Sequence, residues 1–386
     1  MHVIFINYGG YLGCSGVHIH FLAQTLTQQG IRCTVYLPVA IKSKNYFGQA
    51  DYPIFTHNDL VTHSHTGYFK DSIIHAWTPR EVSRQLTIYI VNQAHIPYFV
   101  HLEDNEITIM EQMFNKPLIQ LQQEASENPK LFKDVQYCHP LYFQQFLNNA
   151  TGVTCIINKL EEHVPSHVPR MTFWPACEET FFHLPEKIPE STYKELGFPL
   201  DTIFVVYPGN IHEYNKKHVS NLITAIDYVN KKGHSIKLLR CGETAIPMEQ
   251  LAPSDALAHI IDLGTPEARK LHHYISLAHI LIQPGCPGDF DDYRFPSKIP
   301  LFLASGRPVI LPNTNIGLNM THGKNCLLLK TGSAEEITKY LCLLIENPKV
   351  ATSIGKQGKQ FAYNTFSWEK SAKKLIQFYE KCLSNL

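Results

Sequence analysis

Short apolar runs alternating with helical segments, repeated in two series, constrain the fold of this chain most. Residues 2–7 of HVIFINY form a first strand-like run, and the glycine-rich loop Gly9-Gly10-Tyr11-Leu12-Gly13-Cys14-Ser15-Gly16 follows it. VHIHFLAQTLTQQG then shows helical periodicity and closes at Gly30, a residue suited to a helix C-terminus. IRCTVYLPV (31–39) is the next strand, and further strand-like runs recur at 53–56, 72–77, 97–102 and 152–157. Residues 105–150 depart from the alternation and read as long helices rich in Gln, Glu, Asn and Phe. A second series starts at TIFVVYPGN (202–210). It continues through SNLITAIDYVNKKG, HSIKLLRCG, HIIDLG, PEARKLHHYISLA, HILIQPG, RPVILPN and NCLLLKTG to two helices around 334–347 and 367–384. Such alternation argues doubly wound parallel sheets, so an α/β chain of two Rossmann-like domains facing across a cleft is expected. The boundaries expected are 1–175 for the first domain, 176–200 for a linker and 201–365 for the second domain. A C-terminal helix, 366–386, is expected to pack back on the first domain. The linker reading rests on a polar stretch interrupted by Pro185, Pro189 and Pro199.

A chain of 386 residues is too long for one ordinary core. Lys+Arg and Asp+Glu both count 34, which leaves no general basic field for nucleic acid or anionic lipid. No apolar run approaches the roughly 18 residues of a membrane span, so at most peripheral membrane contact is expected. HVIFINY reads as a strand rather than a signal peptide, and a cytoplasmic location is expected. Ten cysteines without a C-x-x-C read as reduced thiols. The histidine pairs His18/His20, His63/His65 and His272/His273 fit no metal-binding spacing, so neither a metal nor a cofactor is expected.

The richest stretch chemically is Asp289–Ile310, DFDDYRFPSKIPLFLASGRPVI. The acidic residues Asp289, Asp291 and Asp292 precede a bend at Phe295-Pro296. Ser297 and Lys298 then open what reads as an amphipathic helix, ended at Ser305-Gly306. Backbone N–H groups, a hydroxyl and an ammonium at one helix start suit a phosphate. Asp291 and Asp292 are read either as contacts to sugar hydroxyls or as a solvated loop face. Arg294 binds phosphate or pairs with one of those aspartates. Glu243, after Gly242, ends another strand and could meet a ribose or a base. In the first series, YFVHLEDNE brings His101, Glu103, Asp104, Asn105 and Glu106 to a strand end. His101 and Glu103 share a strand face, and Asp104 either serves the site or caps the helix beginning near Glu106. His75, Trp77 and Arg80 form a second patch, read as acceptor stacking or as core.

These residues resemble a known family, the retaining glycosyltransferases of the GT-B fold in the large group called family four. Four stretches carry the resemblance: GGYLGCSGVHIHFLAQTLTQQG, YPGNIHEYNKKHVSNLITAI, HIIDLGTPEARKLHHYISLAHILIQP and FPSKIPLFLASGRPVI. It implies transfer of a sugar from a nucleotide-diphosphate donor to a glycan, lipid or protein acceptor, with retained anomeric configuration. The first domain would hold the acceptor and the second the donor. The donor residues implied or suggested are Gly9, Gly10, Gly16, Gly209, Asn210, His212, Lys217, Glu243, Asp291, Asp292, Arg294, Ser297 and Lys298, and the catalytic candidates are His101, Glu103 and Asp104. Three positions depart from the family pattern. Tyr293 and Leu301 stand where two glutamates are usual, and Asn210 replaces a phosphate-binding arginine. A non-catalytic binding or partner subunit with a degenerate donor site is therefore the alternative reading. A phosphorylase or epimerase sharing the architecture is a further one, with no sequence feature in its favour.

Overall fold

The structure, a computed structural model, describes residues 1–40, 50–64, 67–133, 136–265, 270–288 and 290–384. Asp289, His65 and residues 266–269 of the expected PEARKLHHYISLA helix lie outside the described residues. The chain divides into two units. The first comprises Met1–Pro175, Tyr293–Phe295 and Trp368–Leu386, and the second Ala176–Asp292 and Pro296–Ser367.

The first unit is built on β1 (His2–Asn7), β2 (Arg32–Leu37), β3 (Ile54–Thr56), β4 (Ser72–Trp77), β5 (Tyr98–Leu102), β6 (Gly152–Cys155) and β7 (Arg170–Thr172). These strands lie in the order β3-β2-β1-β4-β5-β6-β7, and every pairing is parallel. All six residues of β1 are buried, as expected of a parallel strand covered on both faces. The chain leaves β1 to one side through β2 and returns on the other as β4, so the winding reverses between β1 and β4. The helix Trp368–Leu383 belongs to this unit and buries Trp368, Ala372, Leu375, Phe378 and Tyr379, a stripe at helical spacing. Its Trp368 stacks on Phe21, with ring centroids 5.8 Å apart. Deeper in, the Tyr379 hydroxyl meets His75 Nδ1 at 2.6 Å, and His75 Nε2 meets the Thr154 hydroxyl at 2.9 Å.

The second unit repeats the plan with β8 (Ile203–Pro208), β9 (Ile236–Cys241), β10 (Ile260–Asp262), β11 (Ile280–Ile282), β12 (Val309–Pro312) and β13 (Leu327–Leu329). The order is β10-β9-β8-β11-β12-β13, again parallel throughout, with the reversal between β8 and β11. Helices Lys216–Lys231 and Ala334–Glu346 contribute Leu222, Ile226, Val229, Ile337, Leu341 and Leu344 to one apolar cluster with the strands.

The elements differ from the sequence reading in five places. Residues 105–150 are not long helices but Glu106–Phe114, Leu118–Glu127, the 3-10 turn Pro129–Phe132 and Tyr142–Asn148. Pro117, Pro129 and Pro140 deny the hydrogen bonds that would join them. The 176–200 stretch groups with the second unit and carries a 3-10 turn, Glu179–His183, and a helix, Glu190–Leu196. The helix after the glycine-rich loop begins earlier than expected, at Cys14. The helix expected from Ser297 is only Ile299–Ala304, since Pro300 confines its start and Gly306, at φ +74°, follows its end. A third C-terminal helix, Pro348–Thr365, lies between the two that were expected. No described helix is long and apolar enough to cross a membrane.

Changing Tyr379 to Phe should cost about 1–3 kcal/mol, because it leaves a fully buried imidazole nitrogen of His75 without its partner. Urea unfolding of the two proteins at one pH measures it, and equal midpoints would show that this contact does not stabilise the helix.

Candidate functional site

In open parallel sheets the winding reversal leaves a crevice beyond the strand C-termini, where ligands bind. Each unit has one, and the residues singled out in the sequence gather around both.

In the first unit the crevice lies beyond β1, β4 and β5. Glu103, just past β5, is 8% exposed. It accepts a hydrogen bond from the Ser15 hydroxyl and sits 3.1 Å from His18 Nδ1. Ser15 lies in the first turn and His18 in the second turn of the helix Cys14–Gln28, whose N-terminus favours an anion. Burial alone would neutralise both partners. Instead, for His18, the Cys14 sulfur and the Glu103 carboxylate outweigh burial and hold the imidazolium above its usual range. For Glu103, hydrogen bonding and charge from His18 outweigh burial and hold the carboxyl below its usual range. The two form a buried ion pair.

His101 is placed differently from the expectation of an acid–base residue at the crevice wall. It is 1% exposed, stacked on Trp77 with centroids 4.0 Å apart, and its Nδ1 meets the Thr154 hydroxyl at 2.7 Å. Burial lowers its pKa to about 3, so it is a neutral histidine enclosed in the sheet. Trp77 likewise belongs to the core. Asp104 does not cap the following helix: Asn105 does, accepting from the Thr108 N–H at 3.2 Å. Asp104 remains half-buried and lies 3.6 Å from an Arg80 nitrogen, while Arg80 Nε donates to Glu106 at 3.0 Å and its guanidinium covers the Tyr8 ring at 4.1 Å. Burial raises the Asp104 carboxyl, and Arg80 and then Arg294, which groups with this unit, oppose that rise. A Cβ on Gly16 would collide with the Tyr11 carbonyl, so Gly16 is required by the loop itself. Gly9 and Gly10 face open space, which leaves their backbone accessible. Thr78, at the end of β4, holds a left-handed φ of +74°, a strained turn of the kind that clusters at functional sites.

The second crevice lies beyond β8, β9 and β11. Asn215 ties the loop after β8 together, donating from Nδ2 to the Asn210 carbonyl at 2.8 Å and accepting from the His212 N–H at 2.9 Å. Asn210 Oδ1 in turn accepts from the Glu243 N–H at 2.9 Å and joins this loop to the one after β9. Below that second loop lies Arg240, 1% exposed. It pairs with Asp262 at 3.1 Å and donates to the Gly242 carbonyl and the Thr244 hydroxyl. Glu243 is thereby held on a rigid turn with its side chain exposed.

The two aspartates after β11 are tied into their own loop. Asp291, 7% exposed, accepts from the Cys286 N–H at 3.1 Å and lies 3.5 Å from His218 Nε2. Gly285 makes room for it, since a Cβ there would stand 2.6 Å from its Oδ2. Asp292 accepts from the Gly288 N–H at 3.2 Å and from the Thr314 hydroxyl. Both carboxylates fasten the loop. The basic groups remain at its margin: Lys217 is exposed and Ser297 and Lys298 half-buried. Burial raises the thiols of Cys286 and Cys241; Asp291 adds to the rise at Cys286 and Lys217 opposes it, while Arg240 and then Lys298 oppose it at Cys241. Lys217 thus lies near the Cys286 loop after β11, and Lys298 near Cys241 at the end of β9. His212, Tyr214 and Phe290 make an aromatic cluster beside the β8 loop, Tyr214 stacking on Phe290 with centroids 5.6 Å apart.

Ser15, His18, Asn215, His218 and Arg240 are not among the residues that the sequence assigns to a site. Arg240 alone carried a local signal, a charged residue inside the apolar run IKLLRC.

Lowering His18's charge should show in stability. A histidine whose folded pKa is raised stabilises fully below its unfolded value of about 6.5, and that stabilisation is lost as pH rises through the folded value. The stability advantage of wild type over His18→Gln should thus be larger at pH 6 than at pH 9. Urea titrations at both pH values measure it, and a pH-independent difference would contradict a charged His18.

Comparisons with known proteins agree with this architecture. Residues 202–347 match the family described as Glycosyl transferases group 1. An uncharacterized glycosyltransferase of Methanocaldococcus jannaschii is 36% identical over 62 residues, which are 16% of either chain. Among solved structures, HepE of Anabaena in complex with UDP-glucose superposes with a TM-score of 0.72 at 15% identity, covering all of both chains. Sucrose-phosphate synthase of Thermosynechococcus elongatus does so with a TM-score of 0.71 at 14% identity, also over all of both chains. The two Rossmann-like units have the GT-B fold, and residues 202–347 resemble the glycosyl transferases of group 1.

Proposed function

We propose that this chain transfers a sugar from a nucleotide-diphosphate donor, with uridine diphosphate the first nucleotide to try, to a hydroxyl of an acceptor, with retention of anomeric configuration. The observation that carries the reading is the pair of cations, Lys217 and Lys298, beside the loops after β8, β9 and β11 of a glycosyltransferase domain. HepE, which shares the fold, was solved with UDP-glucose.

In the reaction the bond from the anomeric carbon to the donor phosphate breaks and a bond to the acceptor oxygen forms. The acceptor proton passes to the departing phosphate oxygen on the same face, so no protein nucleophile is needed. Charge grows on the diphosphate as the bond lengthens, and groups already oriented toward that charge lower the barrier without reorganising. Lys217, Lys298 and the backbone N–H groups near Ser297 fill this role. Glu243, held out on the turn that Arg240 and Asn210 fix, is assigned to the ribose or base. Asp291 and Asp292 act indirectly by shaping the loop. The accessible backbone of Gly9 and Gly10, with Asp104 nearby in the same unit, is assigned to the substrate sugars, and Glu103 with His18 positions the helix start behind it.

Replacing Lys217 or Lys298 with Ala should weaken UDP binding by about 1.5–3 kcal/mol each, the size of a lost charged hydrogen bond. Isothermal calorimetry with UDP and GDP provides the readout. Unchanged affinity in both variants would remove the clamp, and no nucleotide binding by the folded wild type would favour the non-catalytic alternative.

Leu301, half-buried in the short helix Ile299–Ala304, stands where the family resemblance implies a ribose-binding carboxylate. An apolar side chain offers ribose hydroxyls no acceptor. UDP and 2′-deoxy-UDP should accordingly bind within a few fold of each other, whereas a site built on ribose hydrogen bonds rejects the deoxy analogue by orders of magnitude. Strong discrimination would transfer the ribose to Glu243.

A further inference from the structure

The second unit carries a cluster that the transferase reading leaves unused. Helix Ala334–Glu346 presents Cys342 and Glu346 one turn apart on the same face. The turn after helix Lys216–Lys231, where Gly233 takes a φ of +95°, brings His234 to that face. His234 Nε2 lies 3.2 Å from Glu346 Oε1, and the nitrogen, sulfur and carboxylate oxygen of the three residues all lie within 4.8 Å of one another. The His234 and Glu346 side chains are 26% and 57% exposed, so an ion can reach the cluster from solvent.

Imidazole, thiolate and carboxylate together form a ligand set suited to zinc and its borderline-soft neighbours rather than to magnesium or calcium. Around tetrahedral zinc, bonds of about 2.0–2.3 Å place ligand atoms roughly 3.3–3.8 Å apart. The observed spread closes to that by small side-chain rotations, with a water as fourth ligand. We propose that His234, Cys342 and Glu346 form a zinc-binding site. The thiol gives up its proton to solvent as the metal–sulfur bond forms. Burial raises the Cys342 thiol; the charge of Lys232 opposes that rise and Glu346 adds to it. His234 precedes β9, at the opposite end of that strand from Gly242 and Glu243. The site therefore serves as a staple between the 233–234 turn and the helix Ala334–Glu346, remote from the transfer chemistry.

The test uses the full, reduced chain, first stripped with a chelator and then titrated with Zn²⁺ and Co²⁺. One Zn²⁺ per chain is expected to bind and to raise the Tm. Cys342→Ser and His234→Ala should each weaken that binding more than tenfold and abolish the rise in Tm. Co²⁺ should give a near-ultraviolet thiolate charge-transfer band in wild type that is missing in Cys342→Ser. No saturable Zn²⁺ binding by the wild type, or binding and cobalt spectrum unchanged in both variants, would overturn the site.

Discussion

Parallel pairing dictates where this protein can do chemistry. Strands that run the same way force each connection back across a sheet face, so helices cover both faces and only the strand ends stay open. β1 and β8 each have neighbours reached by windings in opposite directions, and the gap beyond them is left unfilled by any crossover. The Gly9-Gly10 loop follows β1, and the Gly209 loop follows β8. The polar groups assigned to each site lie mostly in the loops beside those two gaps, while the strands that deliver them are rich in apolar residues.

Both crevices use buried charge to hold shape. A buried ion pair contributes little net stability, since desolvation offsets attraction, yet removing one partner is costly. His18 and Glu103 therefore fix where the first helix of the chain begins relative to β5. Arg240, paired with Asp262, does the same for the turn that carries Glu243. In the first unit a chain of neutral groups, Tyr379, His75, Thr154 and His101, runs from the C-terminal helix to the strand beside the crevice. Burial lowers the pKa of both histidines, so this chain orders the interior without charge.

Much of the fold was legible because period-two and period-3.6 apolar patterns are local. HVIFIN, SIIHAW and IFVVYP declare themselves as strands whatever surrounds them. The exceptions have local physical causes that the pattern hides. Prolines 117, 129 and 140 divide what read as long helices, and Pro300 with Gly306 shortens the helix after Lys298. The site was less legible because its bonds join distant residues. Glu103 finds Ser15 and His18 at separations of 88 and 85 positions, and Asn210 finds Glu243 in the loop after the next strand. A histidine on a strand reads alike whether it faces a crevice or a tryptophan ring, which is why His101 looked catalytic. Likewise the sequence left Asp291 and Asp292 open between sugar contacts and a solvated face, and it could not show the amides of Cys286 and Gly288 that they accept from.

The central claim is that the diphosphate of a nucleotide sits beyond β8, β9 and β11 of the second unit. A crystal of the full chain soaked with UDP tests it most directly. Phosphate oxygens are expected within hydrogen-bonding distance of the Lys217 and Lys298 ammonium groups, with the nucleoside toward Glu243. Density for UDP at any other place in the fold, with that loop region empty at saturating nucleotide, would contradict it.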